Sequence, residues 1–268
     1  MTDTPTAPAI KPEFGAGNIV GESIQLLFKH FPIMFGIVFV PVLIYNLIAT
    51  GFAEDMVNAT SFADIVPVYV LSAISGLMFI VLQAIIIRIV ISLKTGGGIQ
   101  LNAALSAALS GFFPILILGI VASIAMGIGF LLFFVPGLYV MAMLSVYVPA
   151  IVFERAGFNA LGRSTELTKD YRWAIVFMLI LVVIVGWIAQ AILGGIITLL
   201  WAGGLGGAGR AFTDPAYALN MPLWATVAGS AVEAAIYPFS MIATGLAYAR
   251  LREIKEGGST QDLLKVFE

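Results

Sequence analysis

The chain of 268 residues has no cysteine, a single histidine and only 10% charged residues. Without cysteine there is no disulfide framework, no thiolate metal site and no cysteine nucleophile, although the redox compartment stays undetermined. With His30 as the only imidazole, a histidine-rich metal site is impossible, and a Ser/His/Asp triad would depend on that one residue. Nor is there a surplus of positive charge: 13 basic against 15 acidic residues leave a net charge of −2 and a pI near 5.4. That balance gives no electrostatic footprint for nucleic acid. The sequence also shows no nucleophile–base pair and no metal-ligand cluster, so the reading is non-enzymatic, with no cofactor.

What the chain has in quantity is apolar surface. It is 60% hydrophobic with a mean hydropathy of +1.05, where soluble domains are roughly half apolar and about a quarter charged. Runs with almost no charge predict an all-α, polytopic bundle with spans near Phe31 to Phe52, Ile65 to Leu93, Phe112 to Phe134, Leu138 to Phe153, Trp173 to Ala202 and Leu223 to Ala249. Residues 1–16 read as a polar, proline-rich tail with no cleavable signal, so the first span is expected to be retained. Residues 17–252 form the transmembrane domain, and 253–268 a C-terminal tail or interfacial helix.

Twelve of the 13 basic residues fall on one side of this six-span arrangement, from Lys11, Lys29, Arg88 and Lys94 to Arg250, Arg252, Lys255 and Lys265; only Arg210 falls on the other. The positive-inside bias then puts both termini in the cytoplasm of a bacterial inner-membrane protein. The opposite loops carry Glu54, Asp55, Asp64 and Asp214, and one of them shrinks to a turn around Pro136-Gly137.

A quarter of the charged residues lie in "VFERAGFNALGRSTELTKDYRW", Val152 to Trp173, between the fourth and fifth spans. This stretch has two relatives, "GNIVGESIQLLFKHFPIMFGIVF" and "GGIQLNAALSAALSGFFPILILGIV". All three set an amphipathic segment before a span, which predicts three repeats of an interfacial helix plus a transmembrane hairpin, at about 17–94, 99–153 and 157–250. Arg155, Arg163, Glu166, Lys169, Arg172 and Arg252 form a candidate cytoplasmic docking surface for anionic lipid or a protein partner. Glu154, Glu166 and Asp170 dilute its basicity, whereas a polybasic lipid site needs about four uncompensated cations. A plain solvated connector helix fits the same residues.

"VPGLYVMAMLSVYVPAIVFERAGFNALGRSTELTKDYRWAI", followed later by "LAYARLREIKEGGSTQDL", resembles the membrane-domain family named after glycerophosphoryl diester phosphodiesterases. The resemblance rests on Pro136-Gly137, Pro149, Ala160-Leu161, Arg163-Ser164, Glu166-Leu167-Thr168-Lys169, Tyr248, Leu251-Arg252 and Lys255-Glu256-Gly257. It implies a polytopic bacterial membrane protein. In that family these positions are structural landmarks, and the phosphodiesterase activity belongs to a separate soluble barrel for which this chain has no room.

Among motifs, "GGLGGAG" (Gly203 to Gly209) has the letters of a dinucleotide fingerprint but follows a membrane helix instead of a strand, so it reads as a connection. Asn58-Ala59-Thr60 fits a glycosylation sequon that matters only in a secretory pathway. Pro41, Pro149 and Pro238 predict kinks inside spans. Glu233 is the residue with most chemical interest, because a carboxylate inside an apolar span is costly and needs a partner. Counting at about 1.5 Å per residue puts Asn46, Gln190 and Glu233 at similar depth, roughly 22 to 26 Å in, with Tyr237 one turn from Glu233. They form a candidate intramembrane polar layer, either interhelical glue or a binding site. The leading reading is a scaffold, accessory subunit or lipid-interacting module; the alternative is a small transporter or channel for a lipid or small solute that uses this layer. Expected partners are membrane lipids and another membrane protein or a second copy of the chain.

Overall fold

The computed structural model describes residues 13–52, 61–214 and 221–257, and among these there is no strand. Helix α1 (Ala16–Lys29) is followed by α2 (Phe31–Thr50), α3 (Phe62–Lys94), α4 (Leu101–Leu132), α5 (Phe134–Leu144) and α6 (Tyr147–Glu154). A 3-10 turn (Gly157–Asn159) leads to α7 (Ala160–Thr168), α8 (Arg172–Ala202), α9 (Leu205–Thr213) and α10 (Leu223–Glu256). Six segments are long and apolar enough to cross a membrane: α2, α3, α4, α5 with α6, α8 and α10. The chain is a helical, multi-pass membrane protein. In four of those spans under a third of the most apolar stretch is buried within the bundle, and their large exposed side chains are mostly Ile, Leu, Val and Phe, with Tyr69, Trp173 and Trp187. An apolar belt of that extent is compatible with lipid and not with water.

Helix α10 is the centre of the bundle and packs on α1, α2, α3 and α8. Ala225, Ser230, Ala234, Ala243, Gly245 and Ala247 are small enough to let these neighbours approach. α3 opens on Ser61, whose N–H donates to Asp64 Oδ2 at 2.8 Å and anchors the first turn.

The spans sit close to where the sequence puts them, with three differences. The reversal between the third and fourth spans is at Phe133, not at Pro136-Gly137. Pro136 lies in the first turn of α5, where its missing N–H has no helical bond to lose, and Gly129 meets Gly137 backbone to backbone, 3.0 Å from where a Cβ on Gly129 would sit. Second, the amphipathic segment before the third span is continuous with it, because Ala104, Ala108, Gly111, Ile115, Leu118 and Ala122 make one unbroken buried stripe. The segments before the first and fifth spans instead stop, at His30 and at Lys169–Tyr171. Third, the fourth span is broken at Ser145-Val146, whereas Pro41 and Pro238 lie inside helices that run on past them. The break follows from Pro149, which offers no N–H to the Ser145 carbonyl. The glycosylation triplet, Glu54 and Asp55 lie outside the described residues, as do 258–268 of the expected C-terminal tail or interfacial helix, whose residues 253–256 continue α10.

"GGLGGAG" makes a tight turn. Gly203 and Gly204 take φ of 72° and 111°, and a Cβ on Gly207 would lie 1.9 Å from the Ala202 carbonyl oxygen. It follows a helix and leads into a helix, with no strand beside it among the described residues.

Candidate functional site

Two polar constellations stand out, one at the end of the bundle that carries the cations and one inside the spans. At the charged end, the helix break decides what α7 does. The Met143 carbonyl, released from its helical partner, accepts from Ser164 Oγ at 2.8 Å and Thr168 Oγ1 at 3.2 Å, while the Val146 N–H donates to Ser164 Oγ at 3.3 Å. Ser164 and Thr168 are fully buried. Thus the "RSTELT" segment stitches shut a broken span, which satisfies backbone groups that would otherwise be orphaned in a dry environment.

The same helix anchors an ion network. Arg163 donates two hydrogen bonds to Glu154, at 2.8 and 3.1 Å, and also pairs with Glu256. Arg252 closes the ring, 3.4 Å from Glu154 and 2.7 Å from Glu256. The Tyr248 hydroxyl donates to Glu154 at 2.5 Å. Two acids and two bases neutralise one another across α6, α7 and α10, with Arg252 and Glu154 each under a fifth exposed. The hydrogen bonds from Arg163 to Glu154, and then to Glu256, hold its guanidinium above its ordinary pKa despite partial burial.

Of the six residues expected to form a docking surface, Arg163 and Arg252 are therefore occupied inside the protein. Arg172 stacks on the Tyr139 ring, 4.7 Å from its centroid, and donates to its hydroxyl. Glu166 and Lys169 are exposed, and Arg155 is exposed with no acidic partner among the described residues.

Inside the spans, Asn46 Nδ2 donates to Ser230 Oγ at 3.0 Å and to Glu233 Oε2 at 3.1 Å, which ties α2 to α10. Tyr237 stands beside them with its ring edge-on to Phe79, 6.2 Å between centroids. Gln190 is not brought into this layer. It is exposed on α8 and makes no hydrogen bond to Asn46 or Glu233. Ser230 replaces it, a partner the sequence reading missed although it sits one turn before Glu233's neighbour Ala234 on the α10 face that packs on α2.

Asn46, Glu233 and Tyr237 edge a cleft of about 470 Å³ between α2, α3 and α10, walled by Val42, Met78 and Leu82. Glu233 Oε1 and the hydroxyls of Tyr45 and Tyr237, all at this cleft, have no hydrogen-bond partner among the described residues. No protein family, curated protein or solved structure matches this chain. What the site can do must come from its own geometry. Among the described residues no group of His, Asp and Glu has the grouping of a metal site, and His30, at the junction of α1 and α2, is not among the residues that line the cleft. The cleft offers apolar walls and three polar groups without a hydrogen-bond partner among the described residues.

Proposed function

We propose that this chain is a non-enzymatic bacterial inner-membrane protein, with its charged end and both termini in the cytoplasm, that works as a lipid-interacting module or accessory subunit. The observation that carries the reading is the cleft between α2, α3 and α10. Its volume is in the range of small-molecule sites, roughly 300 to 1,000 Å³, and its walls suit an acyl chain or another apolar body. Glu233, Tyr45 and Tyr237 would fix one polar group of that molecule, since polar groups in a dry cleft gain most from a partner there. The neutralised ion network favours a rigid bundle over a chain that opens and closes at this end. The resemblance to the membrane-domain family carried by Pro136-Gly137, Pro149 and the Arg163 to Lys169 segment agrees with a landmark role for those residues.

Gly76 gives the test. A Cβ there meets nothing within 4 Å and Gly76 lines the cleft, so Gly76→Phe starts a bulky side chain from an open position on its wall. Native mass spectrometry of gently extracted protein should show a bound amphiphile on the wild type and its loss from Gly76→Phe and from Glu233→Ala. Equal occupancy in all three proteins would sink the reading.

One observation favours transport as a second reading: Glu233 is the only acidic residue between Leu223 and Arg250 of α10, and such residues mark translocation paths in many membrane proteins. Because the chain has no cysteine, Ser75→Cys supplies a unique label. Reaction with a membrane-impermeant maleimide points to an aqueous path, and reaction only with a lipid-soluble one points to a site open to the bilayer.

A further inference from the structure

The acids that seemed to dilute the basic charge are consumed elsewhere, and their pairing leaves two arginines over. Glu154 and Glu256 are taken by Arg163 and Arg252, and Glu166 lies nearest Arg163. Arg88, near the end of α3, and Arg155, just after α6, have no acidic partner among the described residues, yet they line the same cavity of about 190 Å³. Its other polar side chains are Ser106 and Ser110 of α4. An adjoining hollow of about 370 Å³ shares Ser106, Ser110 and Arg155 and continues past Gly157. Two like charges facing one hollow without an anion repel each other.

The backbone makes the arrangement less ordinary still. Arg155 has φ of 55° and closes α6 in a Schellman turn: its N–H bonds the Ile151 carbonyl at 3.1 Å, and the Ala156 N–H bonds the Ala150 carbonyl at 3.2 Å. That position favours glycine. An arginine held there, against backbone preference, brings its charge to the mouth of the cavity. Arg88 is fixed separately, with its guanidinium over the Phe153 ring at 5.3 Å.

We infer that Arg88, Arg155, Ser106 and Ser110 form a site for a phosphate group at the charged end of the bundle. Guanidinium forks match phosphate oxygens in pairs, and serine hydroxyls donate to the remainder. The phosphate can come from an anionic phospholipid headgroup or from a soluble phosphate compound, and both meet this chemistry. The site shares no residue with the Glu233 cleft and stands or falls independently of it.

The test uses the full chain, delipidated in a neutral detergent. Phosphatidylglycerol is titrated by native mass spectrometry, with and without millimolar inorganic phosphate, against phosphatidylcholine as the lipid of no net charge. Arg155→Gly removes the cation and relieves the left-handed backbone, and its unfolding is measured alongside so that weaker binding is read only where stability is kept. Arg88→Gln and Ser106→Ala are the companions, and Arg250→Gln, whose arginine pairs with Glu253, is the control. The expected result is a loss of phosphatidylglycerol affinity of at least tenfold in Arg155→Gly and in Arg88→Gln, and none in Arg250→Gln. Competition by inorganic phosphate assigns the site to soluble phosphates; lack of competition assigns it to the lipid headgroup. Affinity unchanged in both arginine variants, or no binding of either probe, overturns the inference.

Discussion

Replacing Glu154 by glutamine removes the charge that the ring at the end of the bundle is built around, while leaving its shape. Glu154 accepts hydrogen bonds at 2.8 and 3.1 Å from Arg163 and at 2.5 Å from Tyr248, and faces Arg252 at 3.4 Å. Glutamine keeps one acceptor oxygen but turns an NH2 group toward a guanidinium. Hydrogen bonds to charged groups contribute about 1.5–3 kcal/mol each, and breaking a buried ion pair from one side costs about 3–5 kcal/mol. The side chains of Glu154 and Arg163 are 19% and 25% exposed, so water screens part of this and the low end applies. Arg163 also keeps Glu256, which limits the loss further. We expect Glu154→Gln to destabilise the bundle by about 2–3 kcal/mol.

The assay is equilibrium unfolding in a mixture of mild detergent and dodecyl sulfate, followed by tryptophan emission. A double-mutant cycle with Arg163→Gln separates the pair from its surroundings, and the coupling should exceed about 1 kcal/mol. Arg250→Gln breaks a pair on the exposed side of the same helix end, where about 0.5 kcal/mol is the expected scale. If Glu154→Gln costs no more than Arg250→Gln, or if the cycle is additive, the ring is solvated charge and the clasp argument fails.

Ser164→Ala should lower stability by about 1–3 kcal/mol in the same assay, because it strands the Val146 N–H and leaves Met143 to Thr168 alone; Ser164→Thr should recover part of that. Gly129→Ala drives a methyl to within 3.0 Å of the Gly137 backbone and should cost about 1–3 kcal/mol through separation of the α4–α5 hairpin, whereas Gly127→Ala, with open space at its Cβ, should be neutral. Arg155→Gly should raise stability by about 1 kcal/mol, the strain of a non-glycine residue in the left-handed region; a loss instead would mean that the Arg155 side chain holds the fold together.

Element type and number were legible in the sequence because hydropathy alone sets them: a run of twenty apolar residues has one way to satisfy its backbone in lipid. The positions of Asn46 and Glu233 were legible for a related reason, since rise per residue gives depth directly. Rotation about the helix axis was not legible, and Gln190 shows why. Its depth matches Glu233, but the fully buried positions of α8 end at Val182, and Gln190 points out of the bundle. Ser164 was hidden by a longer chain of cause. Its value depends on the Met143 carbonyl, which is free because the fourth span breaks at Ser145-Val146. Composition showed a polar residue on a polar helix, and the partner that gives it meaning exists only after α6 and α7 have docked.

The charged segment carries the same lesson with the sign reversed. Counted along the chain, Glu154, Glu166 and Asp170 offset three of its four basic residues and dilute the candidate surface for an anion. Counted in space, Glu154 spends its charge on Arg163 and Arg252, while Asp170 meets Lys255 at 3.1 Å. Neutralisation is local because attraction between charges falls with distance and is screened within about 10 Å at ordinary salt. The charge at this end of the bundle therefore divides in two: a closed ring of Glu154, Arg163, Arg252 and Glu256 that holds three elements together, and an open pair, Arg88 and Arg155, that the ring does not satisfy. If the ring were opened by Glu154→Gln, Arg163 and Arg252 would become additional claimants for an anion at this end, and phosphatidylglycerol affinity should rise instead of fall.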